Sequence, residues 1–352
     1  MGEFLIKISV GNLLGFAINP FIRKKEKEEI LKFLDKKKKC RLAFVDLAPS
    51  DDIRNFIFEL LKKKHELVIF YDHHLDEKHS NFKEMRENIQ AIECIERAEI
   101  KFVSREDYPS CARLVSFNQW FHKKIDLVFF HDDFDGFTSF LKGAGIRYPK
   151  MEQDADILDG SPSVDRSIFT LSMVGKFIQN SFNLVPYFSY DPVGYSKKKQ
   201  EIYQRISNWL SGKKDGDFVD FYRKVLEKTR EIERFTLNLV SKVKLMMGKI
   251  AFCDIREIIN QGEKISFSVL KREIISIFGD VLLCFCTKGH FGDQISVELP
   301  PAWRGKIDLR DFLPEGIEGR VPGRVQIPSE NWGEFLEKWN KGYILAHLLN
   351  QT

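Results

Sequence analysis

Three short apolar runs, each closing on acids or imidazoles, constrain the fold of this chain more than any other feature. The first reads Arg41-Leu42-Ala43-Phe44-Val45-Asp46, and the second reads Leu67-Val68-Ile69-Phe70-Tyr71-Asp72-His73-His74. The third reads Leu127-Val128-Phe129-Phe130-His131-Asp132-Asp133-Phe134-Asp135-Gly136. An apolar run that ends in polar groups is the pattern of a buried parallel strand presenting ligands at its carboxyl end. Three such strands predict a polynuclear metal site at one edge of a parallel sheet. Carboxylate and imidazole together suit a divalent ion such as Mn2+, Fe2+ or Zn2+. Of the eight histidines, three sit in the second and third runs. Asp46 taken alone also reads as a cap for the helix that follows. The other two clusters have no such ready alternative. Burying adjacent imidazoles and clustered acids without a cation costs on the order of several kcal/mol.

Asp72-His73-His74, with His131-Asp132-Asp133-Phe134-Asp135-Gly136 as an H-x-D-x-D-G match, resembles the DHH phosphoesterase superfamily. That group includes RecJ-type single-strand exonucleases, nanoRNases and cyclic-dinucleotide phosphodiesterases. The usual order places H-x-D-x-D-G first, a lone Asp second and D-H-H third. Here Asp46 comes first, D-H-H second and H-x-D-x-D-G third, so the chain looks like a circularly permuted member. A permutation leaves such a site intact, because its geometry depends on where strand ends lie in space.

The resemblance implies roles. His131 and Asp133 would hold one Mn2+, Asp135 and His73 a second, and Asp46 would bridge both, with Mg2+ as the alternative ion. His74 would face the scissile phosphate as a donor, and Asp72 would orient the histidines or bind weakly. One more acid is implied for the second ion. Asp159 is favoured for the Gly160 that follows it, over Asp154, Asp156 and Asp107. Two such ions lower the pKa of a bridging water and stabilise an in-line displacement at phosphorus. No P-loop, nucleophile elbow or G-x-G-x-x-G fingerprint competes.

Composition sets outer limits. The net charge of +4 comes from 55 basic and 51 acidic residues, which excludes a strongly basic DNA-coating protein. The six cysteines, Cys40, Cys94, Cys111, Cys253, Cys284 and Cys286, form no C-x-x-C pair and read as reduced core residues. Cys284-x-Cys286 lies in a strand-like run whose alternation turns both to one face. No apolar segment is long enough to span a membrane, and Met1-Gly2-Glu3-Phe4 has no signal-peptide anatomy. The expectation is a soluble, cytoplasmic protein.

The alternation of helices and strands predicts an α/β fold. A parallel, doubly wound sheet forms an N-terminal domain over 1–165, with a helical connector over 166–247. A smaller mixed α/β domain over 248–352 completes it. The first residues read as strands about a Gly11-Asn12 turn. Helices are expected at 22–37, 51–63 and 81–97, with a further start at Ser110. Tyr190 to Lys199 reads as a loop with a basic run, and 217–247 as one long helix capped by Gly248. The last domain resembles the DHH-associated C-terminal domain, which in the family carries a G-G-G-H stretch. The corresponding place here is Glu315 to Arg324. Gly319 and Gly323 keep part of the glycine pattern, and Arg320 and Arg324 are candidates for phosphate contacts. A tight turn with two solvated arginines is the alternative. Phe134 and Phe137 either stack on a base or pack beneath the loop.

Three functions are compatible with these residues. The first is a Mn2+-dependent phosphodiesterase or exonuclease that cleaves short single-stranded oligonucleotides. The second is a nucleotide or cyclic-dinucleotide phosphodiesterase or phosphatase using the same ions. The third is a DHH-like nucleic-acid-binding scaffold without catalysis, against which the full set of acids and histidines argues. Charged helix faces allow a homodimer, though such faces are ordinarily solvated.

Overall fold

The computed structural model describes residues 4–20, 22–75, 82–105, 107–159, 170–186, 191–213, 216–247, 249–289, 292–317 and 323–349. The chain divides into two compact units, Met1–Leu226 and Glu227–Thr352. The fold is α/β, with a parallel-rich sheet in the first unit and a mixed sheet in the second.

The first unit opens with a hairpin, β1 (Ile6–Val10) and β2 (Leu13–Ile18), turning at Gly11-Asn12 with Gly11 at a φ of 59°. Helix α1 (Lys24–Leu34) leads to β3 (Arg41–Val45). Helix α2 (Asp51–Lys62) leads to β4 (Glu66–Leu75) and α3 (Phe82–Glu93) to β5 (Glu99–Ser104). A short α4 (Gln119–His122) precedes β6 (Leu127–His131), and α5 (Phe134–Gly143) and α6 (Met151–Asp159) follow it. Then come α7 (Met173–Ser181), α8 (Pro192–Leu210) and α9 (Phe218–Leu239). The division between the units falls within α9.

The sheet runs β1-β2-β6-β3-β4-β5, and every pairing after the hairpin is parallel. Alternation along the strands sorts their side chains into two cores. Leu42, Phe44, Phe70 and Phe129 pack with Ile30, Ile53, Phe56 and Leu60 of α1 and α2. Ala43, Val45, Ile69 and Phe130 pack with Phe137, Phe140 and Tyr203 on the other face. Helices on both faces make the sheet doubly wound. Ser50 caps α2 by accepting a hydrogen bond from the Ile53 amide, so the helix after β3 does not draw on Asp46. At the β1 edge, Gln200 and Gln204 of α8 accept from the Lys7 and Ser9 amides at 3.1 and 2.9 Å, covering groups an open edge would expose.

The second unit contains β7 (Lys244–Met246), β8 (Ile250–Asp254), α10 (Arg256–Asn260), α11 (Phe267–Phe278), β9 (Leu282–Gly289) and β10 (Gly292–Glu298). It closes with β11 (Arg324–Pro328) and α12 (Trp332–Leu349). Its sheet order is β11-β10-β9-β8-β7, with only β8 and β9 parallel. Cys284 and Cys286 share one core with Phe335 and Trp339, while Leu283 and Phe285 face Leu270 and Ile274 of α11.

Several expectations need correction. The segment from Tyr190 is not a basic loop beyond Asp191. Asp191 accepts from the Gly194 amide at 2.8 Å, Pro192 occupies the first turn, and a 19-residue helix follows. The long helix stops at Leu239 rather than 247. Val240 and Val243 weaken helical preference, and 244–246 pairs with β8, whose edge would otherwise be bare. Ser110 starts a single 3-10 turn, Cys111–Arg113, not a helix. Strand β5 had no counterpart in the sequence expectation. Cys94 is exposed, unlike the other five cysteines. Gly248 lies outside the described residues. Among those described, no helix is long and apolar enough to cross a membrane.

Candidate metal centre

In a parallel sheet the loops that leave the strands gather at the carboxyl ends. The chain lays down β3, β4 and β5 in one direction, then sets β6 on the far side of β3. That reversal opens a crevice at the carboxyl ends of β3 and β6, where open α/β sheets place ligands. Asp46 follows β3, His73 and His74 end β4, and His131 ends β6. The three candidate strand ends are therefore neighbours.

Asp46 turns out of its strand with a φ of 59°, a conformation that Asp tolerates better than most residues. Its carboxylate is fully buried, and neither oxygen has a directed hydrogen-bond partner. Oδ1 lies 3.2 Å from His73 Nε2 and Oδ2 lies 3.8 Å from His131 Nδ1. Asp133 caps α5 by accepting from the Gly136 amide at 2.9 Å, and its other oxygen lies 2.8 Å from His131 Nδ1. A side chain on Gly136 would place its Cβ 2.3 Å from the His131 carbonyl oxygen, so this turn admits glycine alone. Asp135 is buried beneath the 111–113 turn. Its two oxygens accept from the Cys111 and Ala112 amides at 2.6 and 2.9 Å.

His73 donates from Nδ1 to the Tyr108 carbonyl at 2.9 Å, which turns Nε2 toward the acids. That nitrogen lies 3.0 Å from Asp159, 3.2 Å from Asp46 and 3.5 Å from Asp135. His74 is held differently. Asp72 accepts from its backbone amide at 2.8 Å and from its Nδ1 at 2.7 Å, leaving Nε2 for an incoming group.

Three sets of atoms lie close enough to hold a metal ion: Asp46, His131 and Asp133; His73, Asp135 and Asp159; and Asp46, His73 and His74. The donor chemistry fits divalent cations. Among the described residues, the buried atoms without directed partners include both Asp46 oxygens, His73 Nε2, His131 Nδ1 and Asp159 Oδ2. Orphaned donors and acceptors of this kind, converging on one place, are what a cation satisfies.

Electrostatics point the same way. Burial, followed by the charges of Asp135 and Asp133, raises the Asp46 carboxyl well above its usual range. Burial raises Asp135 to about 7, helped by Asp159 and opposed by His73. Against the effect of burial, His131 holds Asp133 down to about 2. Burial also opposes charge on the two histidines. Asp159 and Asp46 nonetheless push His73 up to about 12, and Asp133 pushes His131 up to about 10. Protons on these rings stand in for the positive charge the acids require. His74 goes the other way, lowered by burial despite Asp72.

The remaining acids have other employment. Asp154 accepts from the Ser172 amide at 2.8 Å and from the Ser172 hydroxyl. Asp156 takes Arg113 and the Ser110 hydroxyl. Asp107 pairs with Ser104. Phe134 and Phe137 are buried, Phe137 stacking on Tyr203 at 4.1 Å between centroids, so neither offers a face to a base. In the second unit Arg324 is exposed and sits opposite Glu298 in the strand register. Glu298 also takes Lys271 at 2.5 Å and Arg304 at 3.0 Å. A Cβ on Gly323 would make only an ordinary contact, 3.9 Å from Arg304 Cγ, and Gly319 and Arg320 lie outside the described residues.

Sequence reasoning missed Arg105, whose Nη2 lies 3.3 Å from Asp159, and the 111–113 amides beneath Asp135. It also missed one face of α8. Tyr195, Lys199 and Tyr203 reach Asp132 at 2.8, 3.4 and 3.1 Å, bracing the segment between two candidate ligands. The basic run held a clue, because Tyr195, Lys199 and Tyr203 share helical spacing. A surface cavity of about 440 Å³ lies at the opposite, amino-terminal end of the sheet, lined by Lys7, Phe33, Lys37 and Asp126 among others. It contains none of the candidate ligands.

No family model and no curated protein matches this chain. Among solved structures it is similar to an exopolyphosphatase-related protein from Bacteroides fragilis, at 15% identity and a TM-score of 0.30. The alignment covers 91% of this chain and 96% of that one. An overlay that loose carries no functional weight.

Proposed function

We propose that the protein is a divalent-metal phosphodiesterase acting on short single-stranded oligonucleotides, with Mn2+ as the working ion, and that its chain order is a circular permutation of the DHH phosphoesterase pattern. The observation that carries this reading is Asp46, whose two bare, buried oxygens lie between two separate sets of candidate ligands. His131, Asp133 and Asp46 would hold one ion, and His73, Asp135, Asp159 and Asp46 the second. When bound, such a pair supplies Lewis-acid charge at phosphoryl oxygens and a water of lowered pKa.

The chain's own groups do the rest. The Tyr108 carbonyl fixes the His73 tautomer, and the two amides of the 111–113 turn hold Asp135 in place. Asp72 anchors His74 through Nδ1. An arriving phosphate favours the protonated form of His74, which then donates from Nε2 to a phosphoryl or leaving oxygen. The modest net charge of +4 suits a small anionic substrate better than long DNA.

The test is hydrolysis by purified protein with Mn2+. The panel is a 5'-labelled RNA dinucleotide, a single-stranded 20-mer, cyclic di-AMP and bis-p-nitrophenyl phosphate, each repeated with Asp135→Asn. Rapid turnover of the dinucleotide, abolished in the variant, supports the proposal. Cleavage of the cyclic dinucleotide alone moves the substrate class. Absence of metal-dependent turnover on every substrate refutes the enzyme.

A further inference from the structure

We infer that Arg105 is a further phosphate-contacting residue of this centre, beside His74, its guanidinium receiving a non-bridging oxygen of the substrate's phosphoryl group. The inference rests on the phosphoesterase reading above and adds a residue to it.

Arg105 follows β5, immediately beyond Ser104. Its Nη2 lies 3.3 and 3.4 Å from the two oxygens of Asp159, and its Nε is buried without a directed partner. Among the described residues Asp159 is its one hydrogen-bonding partner. The side chain keeps 29% of its surface exposed, so it is anchored at the centre yet open to a solute. A guanidinium has five donors in a planar fork, and among the described residues only Nη2 has a partner, Asp159.

Its one partner is itself shared. Asp159 also lies 3.0 Å from His73 Nε2, in the set of groups that would hold the second ion. With an ion held there, Asp159 would direct its charge to that ion and leave the Arg105 guanidinium for another anion. Charge balance gives the same result. Asp46, Asp72, Asp133, Asp135 and Asp159 contribute five negative charges, and two dications leave one uncompensated. Arg105 neutralises it, so a phosphodiester approaches without net repulsion.

The alternative role is a structural one, in which Arg105 only props Asp159. The test uses the full chain as wild type, Arg105→Lys and Arg105→Gln. Mn2+ binding is measured by calorimetry. Inorganic phosphate binding is then measured at saturating Mn2+, with KM and kcat on bis-p-nitrophenyl phosphate in parallel. We expect Mn2+ affinity in Arg105→Lys to stay within about threefold of wild type. Phosphate affinity should fall about tenfold in Arg105→Lys and about a hundredfold in Arg105→Gln, with KM rising in step. Unchanged phosphate affinity in both variants overturns the assignment, whether or not Mn2+ affinity falls. A wild-type protein that binds no Mn2+ brings down the reading beneath it as well, an outcome distinct from failure at Arg105 alone.

Discussion

Arg113 Nε lies 2.9 and 2.8 Å from the two carboxylate oxygens of Asp156, and this pair ties the 111–113 turn to α6. Ser110 donates to the same carboxylate at 2.7 Å, and Lys142 Nζ donates to the Ala112 carbonyl at 2.8 Å. The turn so anchored aims two backbone amides at Asp135. Neither Arg113 nor Asp156 belongs to a set of atoms that could hold a metal. Replacing Asp156 with Asn should loosen the turn and weaken Mn2+ binding about tenfold while the fold persists. Calorimetry with Mn2+, alongside circular dichroism, checks both halves of that expectation.

Asp46→Asn should have opposite effects on the two states of the protein. Without metal, the variant loses a buried charge facing Asp133 and Asp135 and should gain roughly 1–3 kcal/mol of stability. With Mn2+, it should forfeit most of the stabilisation that the wild type gains from the ion. Thermal melts of chelator-treated protein, with and without Mn2+, measure both effects. Equal Mn2+-induced shifts in the two proteins would rule out Asp46 as a shared ligand.

The paired histidines should separate cleanly. His73→Asn removes a nitrogen enclosed by three carboxylates and should weaken Mn2+ binding by more than about tenfold. His74→Asn should leave Mn2+ binding nearly intact and lower kcat roughly 10²–10⁴-fold. Single-turnover rates at saturating Mn2+ make the comparison, because they isolate chemistry from ion loss.

Glu26 gives a pH dependence outside the ligand sets. Burial pushes its carboxyl up to about 7 from an ordinary value of 4.5, opposed by Arg23 and assisted by Asp132. Between those two values the folded chain holds a proton that the unfolded chain has lost. The stability from this group is fully present below 4.5 and disappears as pH rises through 7. Glu26→Gln should therefore be near neutral at pH 4.5 and stabilise the metal-free protein by roughly 1–3 kcal/mol at pH 8. Urea unfolding at the two pH values is the measurement.

Gly136→Ala tests the close approach beneath the third apolar run. The added carbon would meet the His131 carbonyl oxygen at 2.3 Å, so the turn carrying Asp133 and Asp135 must shift. Mn2+ affinity and hydrolysis should both fall at least about tenfold. A variant with wild-type Mn2+ binding would show that the turn yields without cost.

The candidate strand-end ligands were legible as buried, clustered groups because each lies within a few residues of an apolar run that announces its own burial. Asp46, His73 and His131 needed only the inference that those runs are parallel neighbours. Asp159 was harder. Asp154, Asp156 and Asp159 share one short helix, and what separates them is the partners they meet: Ser172, Arg113 and His73. Those partners come from distant stretches of chain, so local spacing carries no record of them. Arg105 and Lys199 were opaque for the same reason. A lone arginine after a strand, or a lysine in a run of three, looks solvated until tertiary packing encloses it. The loop expected at Tyr190 failed locally instead, because Asp191-Pro192 is a helix start that the lysines obscured.

The position of β6 carries a consequence for how the chain is made. It lies between β2 and β3, two strands completed long before it in sequence. A nascent chain that has emerged only as far as β5 holds a hairpin and a three-stranded block, each with an apolar edge awaiting the same missing keystone. Until residues 127–131 arrive, neither edge is closed and His131 is absent, so the centre cannot be assembled strand by strand as synthesis proceeds. Ribosome-bound chains arrested before β6 should be the aggregation-prone species, and the candidate ligands can converge only after insertion of that strand.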